Sequence, residues 1–295
     1  MRKEIGMNYD NIDISIRDVQ KVELDILIEL DRVCKKHGIK YQLFAGTLLG
    51  AVRHKGFIPW DDDIDVCLLR KDYDKLLEVC KIELNPLYFL QNYETDKFSN
   101  YHFSKIRKNN TIFKMKSSKD TNMHEGIFID IFPMDNVRPE SFLGEVHRKF
   151  CNFIFIIISS MIKSRCYDAK NLLVKNVRLL LYYLMKLFPR KFIHSLGDKA
   201  FCVFNQEDTD YVACLTNGAS REEYNNFMVK KDTFYDLIEW EFEEHKFPIP
   251  KEYDYVLTKN YGDYMTPPPL EKQKPHHGII EVVFDNTKTS KVINN

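Results

Sequence analysis

The chain has 295 residues, 44% of them apolar and 29% charged, so it can bury one large core or two unequal ones. Its 43 basic and 43 acidic residues cancel, which argues against a broadly basic nucleic-acid-binding protein. Seven cysteines with no Cys-x-x-Cys pair, and an amino terminus without the apolar core of a secretory signal, predict a cytoplasmic protein.

The periodicity of the apolar residues predicts a helix over 17–37, which Gly38 ends, and a second amphipathic helix over 71–83. Strands are predicted at 87–91, 101–105, 111–115 and 127–132, and a last helix at 251–261. This mixture predicts an α/β (α+β) fold. We expect a catalytic core over 17–139, a basic helical insertion over 140–206, and a C-terminal part over 207–290 that completes the catalytic domain.

Four carboxylates fall within five positions, at Asp61, Asp62, Asp63 and Asp65, immediately before the apolar segment 66–69. Residues two apart on an extended strand lie on the same side, so Asp63 and Asp65 would present their carboxylates together. Such a pair suits a hard divalent cation, because the cation keeps both groups ionised against their mutual repulsion. The run therefore predicts a site for Mg²⁺ or Mn²⁺.

Two other interpretations of the acidic run have to be compared with the metal site. It can be a solvated loop, as acidic runs often are. It also places Asp61, Asp63 and Asp65 at positions 1, 3 and 5 of an EF-hand loop, but Val66 then stands where glycine is required and Asp72 where a bidentate Glu is usual. The calcium-loop interpretation therefore fails at the turn.

A glycine turn lies upstream, where Gly46 and Thr47 follow a short apolar strand and precede a brief helical segment. Gly46 allows close approach of the backbone, Thr47 offers a hydroxyl and a helix cap, and the amides at a helix start attract anions. This turn is predicted to face a phosphate.

Both segments resemble one protein family. The motifs GTLLGAVRH at 46–54 and GFIPWDDDID at 56–65 are similar to the signature of the LicD family, within the nucleotidyltransferase superfamily. Further similarity follows at 105–107, at 126–135, and at 261–268, so the resemblance runs from about residue 19 to residue 277. No motif of the family is matched over 140–205.

The resemblance implies a nucleotidyltransferase-like mixed sheet in which the glycine turn meets nucleotide phosphates and the carboxylates hold the metal. The LicD family includes phosphorylcholine transferases and is related to the fukutin group of alditol-phosphate transferases. Its members move a phosphorylated alcohol from a CDP-linked donor to a glycan hydroxyl and release CMP. The expected partners are therefore CDP-choline or a CDP-alditol, and a glycan or lipid-linked glycan such as a lipopolysaccharide, teichoic acid or capsule precursor.

Asp130 lies in the middle of the apolar strand predicted at 127–132, where an unpaired charge would be unfavourable. We interpret it as a third metal carboxylate; the alternative is a salt bridge to Lys105 or Arg107. Asp135 follows Pro133 and is predicted to lie in a loop or behind the site.

The remaining candidates are cations, an aromatic residue, histidines and a general base. Arg53, Lys105 and Arg107 are predicted phosphate contacts, although each can equally be a surface cation. Trp60 can form a wall of the site, stack on the base or an acceptor sugar, or pack in the core. His54, His276 and His277 can relay a proton, contact a phosphate or only form hydrogen bonds. Asp61 or Asp62 is the predicted general base. The strap over 266–270 is predicted to cross the site and bring His276 or His277 near.

The basic helical stretch contains two apolar runs, at 153–158 and 179–184, and neither is long enough to span a membrane. Residues 148–199 carry 11 Lys and Arg against 2 Asp. The stretch can form a buried subdomain or lie on an anionic membrane surface. We expect most of its apolar area to be buried, with the cationic face meeting a membrane or a lipid-linked glycan.

Two rival functions stay open. One is a nucleotidyltransferase that passes NMP to a small acceptor and releases pyrophosphate. The other is a membrane-associated scaffold without activity, which the complete set of acidic residues disfavours.

Overall fold

A computed structural model describes residues 15–167, 169, 171–285 and 288–291. Helices in these residues are α1 (Ile16–His37), α2 (Ala45–His54), α3 (Arg70–Glu83), α4 (Phe142–Ser160), α5 (Lys163–Tyr167), α6 (Leu172–Met185), α7 (Arg190–Phe201), α8 (Arg221–Phe227) and α9 (Tyr253–Tyr261). Strands are β1 (Gln42–Leu43), β2 (Asp65–Leu69), β3 (Tyr88–Gln91), β4 (Ser104–Lys108), β5 (Ile112–Met115), β6 (Phe128–Val137), β7 (Tyr211–Ala213), β8 (Val229–Lys230), β9 (Leu237–Phe242), β10 (His245–Pro250), β11 (Ile279–Asp285) and β12 (Lys288–Lys291). The predicted α/β (α+β) class is confirmed.

The main sheet has the order β1-β2-β6-β4-β3, and β7 and β8 extend it beside the far end of β6. Strands β2 and β6 run parallel, with Asp65 opposite Asp130. Strand β4 runs antiparallel to β6 on its other side, with Lys105 opposite Asp130. Three charged residues from distant parts of the chain therefore lie in one row across the sheet.

Strand β6 is longer than the sequence predicts. It continues through Pro133 to Val137 because β2 pairs with its first half and β7 with its second half. The prediction that Asp135 lies in a loop is therefore wrong: Asp135 pairs with Ala213 in the sheet and is fully buried.

The C-terminal part returns to the core in two places. Strand β11 pairs with β5, which brings the chain just before Ile279 beside the acidic run. The hairpin of β9 and β10 turns at Glu243 and Glu244, both in the left-handed region. The carboxylate of Glu243 accepts a hydrogen bond from the Phe57 backbone N–H at 3.1 Å and pairs with Arg17, so the hairpin holds the segment that enters the acidic run.

The stretch over 140–206 contains α4, α5, α6 and α7, and its Ile154, Ile158 and Phe201 are buried in a second, smaller core that it shares with β7 and α8. Helix α6 differs, because none of its residues is buried. The expectation that most of the apolar area of this stretch is covered is therefore wrong for α6. None of the helices in the described ranges is long and apolar enough to cross a membrane.

Candidate active site

Three carboxylates converge at the end of the main sheet where strand β2 begins. Asp65 begins β2, Asp130 lies opposite it on β6, and Asp63 lies two residues before Asp65 in the chain. One oxygen from each of the three lies within 4.8 Å of the others. The parallel register between β2 and β6 thus makes a three-carboxylate cluster from residues 65 positions apart.

These carboxylates repel one another in a partly enclosed place. Burial raises the pKa of Asp63 to about 7, although His277 opposes the shift. Burial, followed by repulsion from Asp63 and Asp130, raises the pKa of Asp65 well above its usual range. Such a set is stable in its charged form only when a cation compensates it.

Lys105 supplies one positive charge to the cluster. Its ammonium group forms an ion pair with Asp130 and lies 3.6 Å from the centre of the Phe128 ring. Burial lowers the pKa of Lys105, and Asp130 opposes that shift. The salt bridge considered as the alternative for Asp130 is therefore present, and Asp130 also belongs to the carboxylate cluster.

Arg107 does not fit its predicted contact with phosphate. Its side chain is fully buried, and its guanidinium group donates hydrogen bonds to the side chain of Gln91 and to the backbone carbonyl of Gly126 at 2.6 Å. The side chain is on the part of β4 away from the carboxylates and tethers the loop before β6. Its burial and these two hydrogen bonds therefore give Arg107 a structural role.

The glycine turn is built differently from the prediction. Helix α2 already begins at Ala45, so Gly46 is inside its first turn, and the Thr47 hydroxyl accepts a hydrogen bond from the Asp65 backbone N–H at 2.8 Å. Thr47 therefore positions the start of β2 rather than pointing at a phosphate. A Cβ atom on Gly46 would lie 2.8 Å from a carboxylate oxygen of Asp61, so the glycine makes room for that side chain.

Asp62 holds the tail of the chain in place. Its two carboxylate oxygens accept hydrogen bonds from the backbone N–H groups of His276 and His277 at 3.0 and 3.1 Å, and the His277 ring lies at 3.2 Å. Burial would raise the pKa of Asp62, but the ring of His277 and the backbone N–H groups of His276 and His277 together outweigh it, and the net shift is downward. Asp62 therefore has a structural task, which leaves Asp61 as the free candidate for the general base.

His276 and His277 consequently lie at the acidic run. His276 Nδ1 is 3.6 Å from an oxygen of Asp61, and this contact raises its pKa. Burial lowers the pKa of His277, but Asp62 and Asp63 outweigh it and the net pKa is raised. His277 Nε2 is 3.8 Å from an oxygen of Asp63, so it lies next to the carboxylate cluster.

A first cavity of about 510 Å³ opens on one side of the cluster. Gly46, Trp60 and Asp61 line it, and the strap contributes Thr266 and Pro268. Arg53 also lines this cavity, where its guanidinium group donates a hydrogen bond to the Tyr264 carbonyl at 2.7 Å. The ring of His54 packs edge-on against the Trp60 ring. His54 lines neither this cavity nor the second cavity at the carboxylate cluster.

A second cavity of about 240 Å³ is lined by Lys105, Asp130, Arg165 and aromatic side chains that include Tyr101 and Phe103. Asp63 and Asp65 line both cavities. Two binding spaces thus meet at the same carboxylate pair.

Sequence reasoning missed Glu23 and Gln20, which α1 places beneath the acidic run. Gln20 donates a hydrogen bond to the Asp61 backbone carbonyl at 2.9 Å. Glu23 is fully buried, its carboxylate has no hydrogen-bond partner in the described part of the chain, and burial raises its pKa well above the usual range. The sequence does contain a signal for the burial of Glu23, because Glu23 falls on the same face of α1 as the apolar Val19 and Ile26.

The donor set fits a hard divalent cation. Asp63, Asp65 and Asp130 offer only oxygen atoms, they carry up to three negative charges, and Lys105 balances one of them. Burial first, and the neighbouring carboxylates second, raise the pKa values of Asp63 and Asp65, so a cation would stabilise their charged forms. These three residues would hold Mg²⁺ or Mn²⁺.

Comparison with known proteins agrees with this geometry. The sequence model of the LicD/FKTN/FKRP nucleotidyltransferase domain matches residues 38–156, which include the whole carboxylate cluster. The lipopolysaccharide cholinephosphotransferase LicD of Haemophilus influenzae is 34% identical over 272 residues, which cover 90% of this chain and 96% of that protein. An uncharacterised protein of Rickettsia prowazekii is 50% identical over 44 residues, 15% of this chain and 16% of that protein. The chain therefore belongs to the LicD family and is a transferase of the LicD type.

Proposed function

We propose that this protein transfers phosphocholine, or a related alditol phosphate, from a CDP-linked donor to a cell-surface glycan of the lipopolysaccharide type. The observation that carries the proposal is the meeting of two cavities at Asp63 and Asp65, because a transfer reaction needs a donor and an acceptor on either side of one reacting centre. The 34% identity to a cholinephosphotransferase, which extends over nearly the whole of both chains, supports the choice of cargo.

In the proposed reaction an acceptor hydroxyl attacks the distal phosphorus of the donor. The new bond joins the acceptor oxygen to phosphorus, the bond to the CMP oxygen breaks, and the hydroxyl proton passes to a carboxylate such as Asp61. Arg53 in the first cavity and Lys105 in the second would hold phosphate oxygens as charge moves to CMP. A Mg²⁺ or Mn²⁺ ion held by the three carboxylates would supply further positive charge to the phosphates.

We place the reaction in the cytoplasm. Six of the cysteines, Cys34, Cys67, Cys80, Cys151, Cys202 and Cys214, are free thiols, as a reducing compartment would keep them. Teichoic acid and capsule precursors remain alternative acceptors, because the cavities do not single out one glycan.

Binding of the cation should depend on pH. The folded state raises the pKa of Asp63 to about 7, so it retains a proton that the unfolded chain releases at lower pH, and the stability of the metal-free protein should fall as the pH rises toward 7. A bound cation must displace that proton. We therefore expect MnCl₂ or MgCl₂ to raise the melting temperature more at about pH 8 than at about pH 5.5. An equal shift at both pH values, measured by thermal unfolding, would contradict a cation on Asp63.

A donor panel tests the function directly. The purified protein is incubated with Mg²⁺, a glycan acceptor and either CDP-choline, CDP-glycerol, CDP-ribitol or a nucleoside triphosphate, and CMP and pyrophosphate are measured separately. We expect CMP from one CDP donor, which also identifies the cargo. Pyrophosphate from a triphosphate would instead establish nucleotidyl transfer, and failure to bind any nucleotide or cation would favour a scaffold.

A further inference from the structure

Helix α6 is apolar but uncovered. Nine of its 14 residues are Leu, Val or Met, and none of the 14 is buried. Helices of this composition in water-soluble proteins normally pack their apolar side chains into a core. Something other than water is therefore expected to cover α6.

The orientation of α6 strengthens this point. Leu173, Val177, Leu180 and Leu184 are spaced four, three and four residues apart, so they share one face, here called the outer face of α6. Their exposed fractions are 71%, 48%, 59% and 40%. The opposite side of α6 is half-buried, and it carries Lys175, Arg178 and Tyr182 as well as the apolar Leu179 and Met185. The helix thus has apolar side chains on both sides, and those of the outer face are left exposed.

The apolar surface continues beyond α6. Leu187, Phe188 and Phe192 follow it with exposed fractions of 77%, 49% and 59%. Of 26 exposed large apolar side chains in the described ranges, 18 lie between residues 142 and 203. This concentration distinguishes a binding surface from the scattered exposed side chains of an ordinary protein.

The same segment is strongly basic. Residues 163–191 contain eight Lys and Arg and a single acid, Asp168. Several of these cations have no carboxylate partner within the ranges that the structure describes: Lys163, Lys175, Arg178, Lys186 and Lys191. Lys175 and Arg178 lie on the half-buried side of α6, whereas Lys186 and Lys191 are exposed, so their charges are available to an anionic partner.

We propose that α6 docks on an anionic membrane surface. Its outer face would enter the boundary between headgroups and acyl chains, while the surrounding Lys and Arg side chains reach up to the lipid phosphates. A second copy of the chain is a poorer partner, since its own basic segment would bring like charges together. No helix in the described ranges is both long and apolar enough to span a membrane, and α6 has only 14 residues, so α6 would lie in the plane of the interface.

Docking would also place the candidate site at the membrane. Helix α5 immediately precedes α6 in the chain, and its Arg165 lines the second cavity while the Arg165 backbone carbonyl accepts a hydrogen bond from Arg178 of α6. The docking itself does not depend on the proposed reaction, because it can be measured without substrate.

Vesicle co-sedimentation of the full chain tests the proposal. The probes are vesicles of phosphatidylcholine alone and vesicles that also contain phosphatidylglycerol. We expect binding to the anionic vesicles that weakens with added salt, and at least about tenfold weaker binding for the variant Leu173→Ser/Leu180→Ser. The matched control is Ile82→Ser/Leu87→Ser, which removes two apolar side chains with exposed fractions of 87% and 53% elsewhere and should bind as the wild type does.

All four positions are exposed, so we expect both variants to be folded. Circular dichroism checks this. A second variant, Lys163→Gln/Lys186→Gln/Lys191→Gln, should lose affinity for anionic vesicles while leaving the apolar face intact. The proposal is overturned if the wild type binds neither kind of vesicle, if the outer-face variant binds as well as the control, or if light scattering shows that α6 instead mediates dimerisation in the absence of vesicle binding.

Discussion

Replacement of Asp63 or Asp65 by asparagine is expected to lower transfer activity by about three orders of magnitude, because each change would remove a charged ligand of the proposed cation, which would supply several kcal/mol of charge stabilisation. Asparagine keeps the shape of the side chain but cannot bind a cation as a carboxylate does. The measurement is the rate of CMP release from the donor that the panel identifies.

The same substitutions should leave the protein folded. Burial raises the pKa of both carboxyl groups, so their charged forms are unfavourable in the metal-free fold and a neutral amide relieves repulsion. We therefore expect an unchanged or higher melting temperature without added cation, together with a smaller response to Mn²⁺. Asp25→Asn, at an exposed position of α1, is the matched control and should retain wild-type activity. Retained activity in both site variants would remove the basis for the proposed metal centre.

Unlike the changes at Asp63 and Asp65, Asp135→Ala is expected to destabilise the fold. We expect a loss of about 3–5 kcal/mol in the free energy of unfolding. Asp135 is fully buried and accepts two hydrogen bonds from Arg70, at 2.8 and 2.7 Å, and one from Asn205 at 2.6 Å. Removal of the carboxylate leaves the Arg70 charge largely buried, and among the described residues its remaining ion-pair partner is the exposed Asp74 at 3.8 Å. Urea unfolding measures the change.

A paired variant separates the cost of an unpaired charge from a general packing defect. Arg70→Met/Asp135→Leu removes both charges and should recover much of the lost stability, since buried ion pairs can often be replaced by apolar side chains at little cost. A loss below about 1 kcal/mol in Asp135→Ala would contradict the assigned role, because that is the size of an exposed pair.

Asp130 and Asp135 show how one strand serves two purposes. They are five residues apart on β6, so the pleat directs them to opposite faces of the sheet. Asp130 meets the carboxylate cluster and Lys105, whereas Asp135 meets Arg70 from α3. The sequence shows two acids in similar apolar surroundings, and only the pairing of β6 with its neighbours separates the candidate metal carboxylate from the structural one.

Local patterns were sufficient for several features. Helix α1 was predicted over 17–37 and is observed over Ile16–His37, because its apolar spacing is regular and Gly38 ends it in the left-handed conformation with φ of 60°. The alternation within the acidic run paired Asp63 with Asp65, and the structure brings both together with Asp130. The family was also identifiable from its motif, and the comparisons confirm it.

Contacts between distant segments determined the rest. From the sequence, Arg107 is a candidate phosphate-binding cation, but in the fold Gln91 of β3 and the Gly126 carbonyl accept its hydrogen bonds. Asp62 is a candidate general base, but its carboxylate accepts hydrogen bonds from two backbone N–H groups of the C-terminal segment. The composition of α6 predicted burial, yet no other segment of the described chain covers its outer face. Residue type and spacing specify what a side chain can bind and which face of its own element it occupies, whereas the partner it meets depends on strand register and chain return over hundreds of residues, which no local pattern encodes.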